Sequence, residues 1–199
     1  MSALNLPPLP PAGGEITGRS VVDVIADQHR ELLSLCDRMI GDRSRAVADV
    51  VIATLSRHLS AEEQYLYPAV RRTVPDGDTI ADRELAEDRD LLIVLTNLDG
   101  VRPDDARFDE LAEAVIAAVR RHVEVDESEL LPLLTQMVTV EDLIRIGNRI
   151  ETAEEAAPTR PHPGTPSTPP WNKVVDPVVA VVDKARDAVS RRTTYPTGL

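Results

Sequence analysis

The chain has 199 residues with 22 Lys and Arg against 34 Asp and Glu, a net charge of −12, one cysteine and 3% aromatic residues. That charge repels polyphosphate, and a basic pair such as Arg191 and Arg192 is too small to neutralise a nucleic-acid backbone. Cys36 alone excludes a disulfide framework or a cysteine-built zinc or iron–sulfur site and suits a reducing cytoplasm.

No basic leader with an apolar run and no long uncharged stretch is visible, so neither a signal peptide nor a membrane span is expected. Proline sets the expected boundaries, because it removes a backbone donor and breaks helix interiors. Residues 1–19 contain Pro7, Pro8, Pro10 and Pro11 and read as a disordered arm. Residues 20–155 hold only Pro68, Pro75, Pro103 and Pro132 and read as the folded domain.

Inside that domain apolar residues recur at three and four, as in Val21/Ile25/Leu32/Cys36/Met39, which is helical spacing. The spacing predicts helices over about 20–40, 44–73, from a cap at Asp78 or Thr79 to Leu98, and 106–137. A short fifth helix opens at Thr139, with Asp142 three residues on, and runs to about 155. The expected fold is all-α: an antiparallel up-down-up-down four-helix bundle. A Pro-rich linker over 156–173, a small amphipathic helix over 174–192 and a disordered end over 193–199 complete the chain.

Segments 57–70 (RHLSAEEQYLYPAV) and 121–134 (RHVEVDESELLPLL) align in register, pairing His58 with His122, Glu62 with Asp126 and Pro68 with Pro132. HRELL (29–33) over DRDLL (88–92) pairs His29 with Asp88, so the bundle is two hairpins of one design. Residues four apart share a helix face. His58 therefore points with Glu62 and His122 with Asp126, while His29 and Asp88 supply one group from each remaining helix. Imidazoles and carboxylates projecting inward from four helices are how di-iron and di-manganese bundles are built. Two close cations need carboxylates between them to offset their repulsion, a role for Glu62 and Asp126.

Glu63 and Glu127 lie a step around the helix, behind the ligands or on the surface. Tyr65, three residues after Glu62, offers a catalytic phenol on that face, as hydrogen-bond donor, redox-active group or ligand. Cys36 reads as a buried small hydrophobe, and His162, among prolines, as solvated. There is no glycine-rich phosphate loop and no His-Glu-x-x-His helix.

His29, the His58-x-x-x-Glu62 unit, Asp88 in a histidine-like slot and the His122-x-x-x-Asp126 unit resemble the hemerythrin-like, or HHE cation-binding, domain family. The endings LYP (66–68) and LLP (130–132) are family-like, and the tail, with PTRPHP (158–163) and STPP (167–170), resembles that of actinobacterial members. The resemblance implies two non-haem iron ions, with manganese or zinc the lesser alternative. It implies small-molecule partners, namely dioxygen, hydrogen peroxide or nitric oxide, and an electron donor. A redox, detoxifying or sensing role follows, of catalase-like or oxidase-like kind if the protein is an enzyme.

Carried over, His29, His58 and His122 would be terminal ligands, and Glu62 and Asp126 bridges. Asp88 stands where the family usually has histidine, and Asp126 where it often has glutamate. Harder oxygen ligands favour ferric iron, so oxidation or peroxide chemistry is expected over oxygen storage. The alternative expectation, from Asp88 and the linker, is a degenerate metal-free bundle acting as a protein-interaction module.

Overall fold

The computed structural model describes residues 16–164 and 172–199, with side chains in the second stretch from 179 onward. The first fifteen residues of the expected arm and residues 165–171 of the expected linker lie outside the described residues. Helix α1 (Val21–Asp42) starts at Ser20, whose hydroxyl accepts the Asp23 N–H, and ends where Arg43 turns left-handed at φ 42°. Its buried stripe, including Val21, Ile25, Leu32, Cys36 and Met39, is the one the periodicity marks.

The second rod consists of α2 (Arg45–Ala61) and α3 (Tyr67–Thr73), joined by a π-helical turn over Glu62–Leu66. The fourth repeats the device, with α5 (Arg107–Val125) and α6 (Leu131–Met137) joined over Asp126–Leu130. The helices expected over 44–73 and 106–137 are thus interrupted, and the interruptions have a common cause. Pro68 and Pro132 lack an N–H, and each ring crowds the carbonyl four residues back. Just before them the hydrogen bond reaches one residue further, from the Tyr67 N–H to the Glu62 carbonyl and from the Leu131 N–H to the Asp126 carbonyl. The extra residue is absorbed without ending the rod.

Between the rods, α4 (Gly77–Asp99) begins earlier than the expected caps Asp78 and Thr79, with Asp76 at φ 55° in the cap position. Gly77 has a steric reason: a Cβ there would lie 2.3 Å from the Val70 carbonyl oxygen. Helix α7 (Val140–Ala156) is capped by Thr139, which accepts the Asp142 N–H, and α8 (Asn172–Ser190) follows.

Helix α1 and the rods α2–α3, α4 and α5–α6 form the bundle, in cyclic order α1, α2, α4, α5; α7 lies against α1 and α2, and α8 packs on α7. Among the described residues no helix is long and apolar enough to cross a membrane.

The core comes in two blocks. One gathers Leu32, Cys36, Met39, Val51, Leu55, Leu95, Phe108 and Val115; the other gathers Ile25, Leu66, Tyr67, Val70, Leu130, Leu134, Ile146 and Ile150. Between them lies a polar layer in which His29, His58, Glu62, Asp88, His122 and Asp126 are each at most 5% exposed. Burying such groups costs several kcal/mol each unless a partner compensates. The apolar blocks hold the layer in place, and what compensates it is a question of chemistry.

Candidate metal centre

The repeat delivers its side chains as the spacing requires. His58 and Glu62 come from the end of α2 and the turn after it, His122 and Asp126 from the corresponding places in the fourth rod, and His29 from α1. The three imidazoles stand edge to face around a common point, with ring centroids 5.1, 5.2 and 5.5 Å apart. His29, His58, Glu62 and His122 each offer one donor atom, and the four atoms lie within 4.8 Å of one another.

Hydrogen bonds outside the cluster decide which nitrogen each ring turns inward. Gln28 donates its amide to Glu154 at 2.7 Å, which fixes its orientation, so its carbonyl accepts from His58 Nδ1 at 2.9 Å. Glu127 accepts from His29 Nδ1 at 3.0 Å. With protons on Nδ1, the Nε2 atoms of both rings carry lone pairs into the cluster. His58 Nε2 lies 3.0 Å from His122 Nε2, and His122 Nδ1 faces Asp88 Oδ1 at 3.5 Å.

The carboxylates stand between the rings. Glu62 Oε1 is 3.4 Å from His58 Nε2, and its Oε2 is 3.4 Å from His122 Nε2. Asp126 Oδ2 lies 3.5 Å from His122 Nε2 and 3.8 Å from His29 Nε2. His29 Nε2, Glu62 Oε1 and both oxygens of Asp126 are buried without a hydrogen-bond partner.

The electrostatics follow from burial. Desolvation, aided by His122, pushes His29 down to about 3, and burial with its two neighbouring rings lowers His58. Burial, then Asp88, raises Glu62 well above the carboxylate range; burial, then Glu62, raises Asp126. Burial pushes Asp88 up to about 6. Left to itself the site disfavours charge on His29, His58, Glu62, Asp88 and Asp126, and no Lys or Arg among the described residues pairs with these three carboxylates. Neutral imidazole nitrogens and orphaned carboxylate oxygens in one buried place are the donors that a divalent transition-metal ion takes. These residues fit a metal.

Asp88 sits behind the ring of His122, on its Nδ1 side, and its Oδ2 accepts from the Tyr67 hydroxyl at 2.7 Å. Tyr67 also reaches Glu62 Oε2 at 3.5 Å, and burial keeps its phenol protonated by raising it well above its ordinary value. Tyr65, the expected catalytic phenol, lies in the second apolar block with Arg149 beside it. The π turn accounts for the difference, since it brings the residue five after Glu62, not three or four, over that carboxylate.

Spacing missed Gln28, Tyr67 and Glu154. Gln28 one residue before His29 offered no signal, and Glu154 lies 126 residues from Gln28. His162, expected in solvent, instead faces Asp183 of α8 at 2.9 Å.

Residues 20–134 match the hemerythrin HHE cation-binding domain. The chain belongs to that family. It is also similar to an uncharacterised hemerythrin-like protein of Schizosaccharomyces pombe, 22% identical over 176 residues, or 86% of this chain and 87% of the relative. No solved structure matches it. The matched region ends before α7, yet α7 supplies Glu154, which orients Gln28 and through it His58.

Proposed function

We propose that this hemerythrin-family chain holds a non-haem di-iron centre that binds or reacts with dioxygen, peroxide or nitric oxide in a redox, detoxifying or sensing role. His29, His58 and His122 would supply nitrogen, and Glu62 and Asp126 would lie between the metal ions. What supports two ions is the disposition of Glu62, whose two oxygens face two different histidines. Three carboxylates with no internal cation also call for more than one added positive charge to offset their burial. Iron bound here supplies one-electron and oxygen chemistry.

The chain's own residues do the rest. Gln28 and Glu127 hold the protons of His58 and His29 on Nδ1, so that Nε2 remains a donor. Asp88 orients His122 from behind, and Tyr67 holds a proton on its hydroxyl between Asp88 and Glu62.

The orphaned buried atoms, His29 Nε2, Glu62 Oε1 and the Asp126 oxygens, carry this reading. The metal-free alternative leaves protons alone to compensate the Glu62 and Asp126 oxygens. The test is elemental analysis of protein loaded anaerobically with ferrous iron, then optical spectra as air, peroxide and nitric oxide are admitted in turn. About two irons per chain, with new bands on admission of at least one of the three, is the expected result. No retained iron, or iron that responds to none of them, overturns it.

A further inference from the structure

The six polar groups of the centre are not equally sealed. His29, His58, Glu62 and Asp126 are 0% exposed, Asp88 1% and His122 5%. Asp88 and His122 also line a cavity of about 360 Å³ that opens to the surface between α4 and α5. At roughly 30 Å³ of liquid per water, it has room for an ion that still carries several waters. Neither Gln28 nor Glu127, the partners behind the other two rings, lines it.

The mouth of this cavity carries Glu87 and Asp90 from α4 and Glu124 from α5, all exposed, against the single cation Arg121. None of these three carboxylates has an ion-pair partner among the described residues. Elsewhere on this surface the acids are commonly paired, as Asp27 is with Arg19 and Asp78 and Asp82 are with Arg71. An opening with excess negative charge and low-dielectric walls concentrates cations and repels anions. Its floor, Asp88 and His122, adjoins Glu62 through that residue's Oε2 and the unpartnered Oδ2 of Asp126.

We propose that this cavity is the loading port of the metal centre, through which a divalent cation passes from the acidic mouth across Asp88 and His122 to the donors behind them. The inference rests on the metal reading above and adds a route to it. Loading is a ligand exchange with no redox step: a hydrated divalent ion sheds waters at the mouth and takes up protein donors further in, and the protons these donors carried leave by the same opening.

The port predicts rates and leaves the occupied site unchanged. Chelated protein is mixed with cobalt(II), and the growth of the metal's visible absorption is followed by stopped flow across a range of salt concentrations. Cobalt content at saturation is measured in parallel. Two variants are compared with wild type: the triple change Glu87→Gln, Asp90→Asn, Glu124→Gln, which removes the charge of the mouth, and Ala118→Phe, which narrows it from the α5 wall. The triple variant should load about tenfold or more slowly at low salt and lose most of its salt dependence. Ala118→Phe should load slowly at every salt concentration. Both should reach the wild-type cobalt content with the wild-type spectrum.

Loading at the wild-type rate in both variants overturns the port and leaves the centre standing. Lowered cobalt content or an altered spectrum in the triple variant also overturns it, since these acids would then belong to the site. Wild type that takes up no cobalt overturns the metal reading and the port together.

Discussion

Two buried acidic clusters lie in this molecule, and they are compensated in opposite ways. At the end of the bundle Asp49, Asp99, Asp183 and Asp187 meet Arg45, Arg160 and Arg192. Arg192 reaches Asp49 at 3.0 Å and Asp99 at 3.3 Å, and Arg160 bridges Asp99 at 3.1 Å and Asp187 at 2.7 Å. Arg45 joins Asp99 at 2.8 Å, while Asp183 takes the Arg160 N–H and His162. That knot fastens α8 and the last residues, and Tyr195 stacks over Arg57 beside it. In the bundle centre Glu62, Asp88 and Asp126 meet only histidines, a tyrosine and one another. A fold that brings its own guanidinium groups to one set of carboxylates and none to the other has left the second charge to be supplied from outside.

The largest expected effect breaks the comparison at the centre. Chelation should lower the Tm of metal-loaded protein by roughly 10 °C, because a ligand present at about a thousand times its Kd contributes about 4 kcal/mol. His58→Ala should lose stoichiometric metal and, with it, the chelator dependence. Calorimetry with and without chelator measures both. A wild-type Tm that ignores chelator would mean that protons already compensate these carboxylates.

The next effect tests the other cluster. Arg192, whose side chain is 4% exposed, serves three aspartates. Arg192→Ala should cost about 3 kcal/mol, the low end for breaking a buried pair, because Arg45 and Arg160 remain. Its metal content should equal that of wild type, and its chelator response should be unchanged. If the metal is lost along with the knot, the two clusters are not independent.

The asymmetry also explains what could be read from the chain. The repeat at 57–70 and 121–134 was legible because a histidine and an acid four residues apart share a face of any α-helix, whatever the helix packs on. The four-helix bundle followed from periodicity and from prolines concentrated at the ends. The π turns were not legible, since they arise from how Pro68 and Pro132 are accommodated, and their one-residue shift brings Tyr67, five residues after Glu62, onto the face that α-spacing gives to positions three and four. Glu154 and the arginine knot were hidden for another reason: their contacts join segments far apart in the chain, 126 residues for Gln28 and Glu154 and more for Asp49 and Arg192, with no period to announce them.

That register shift can be tested alone. Tyr67→Phe removes the donor to Asp88, and groups that steady metal ligands from behind typically change metal affinity by 10–100-fold. Because Tyr67 acts through Asp88, a weakening of roughly tenfold is expected, read by competition with a chelator of known affinity. Tyr65→Phe should leave the affinity unchanged. The reverse ranking would restore ordinary helical spacing to that rod and remove the argument built on the π turn.

The smallest effect uses Cys36, which is buried in the first apolar block and lies on the same helix as His29, two turns on. Burial raises its thiol from near 9 to about 12, with Asp37 adding to the shift. The folded chain therefore keeps its proton where the unfolded chain gives it up. This contribution to stability is intact below about pH 9 and is lost as pH rises through 12. At pH 9 the native thiolate fraction is roughly 10³-fold below unity, so iodoacetamide should label Cys36 only through opening of the block. The rate then ranks how well each cluster braces that block: chelated wild type should label faster than metal-loaded Arg192→Ala, and both faster than metal-loaded wild type, in the order of their losses in stability. Acceleration in Arg192→Ala alone would show that the centre sits in a core that stands without it, and that the knot carries the bracing for the whole block.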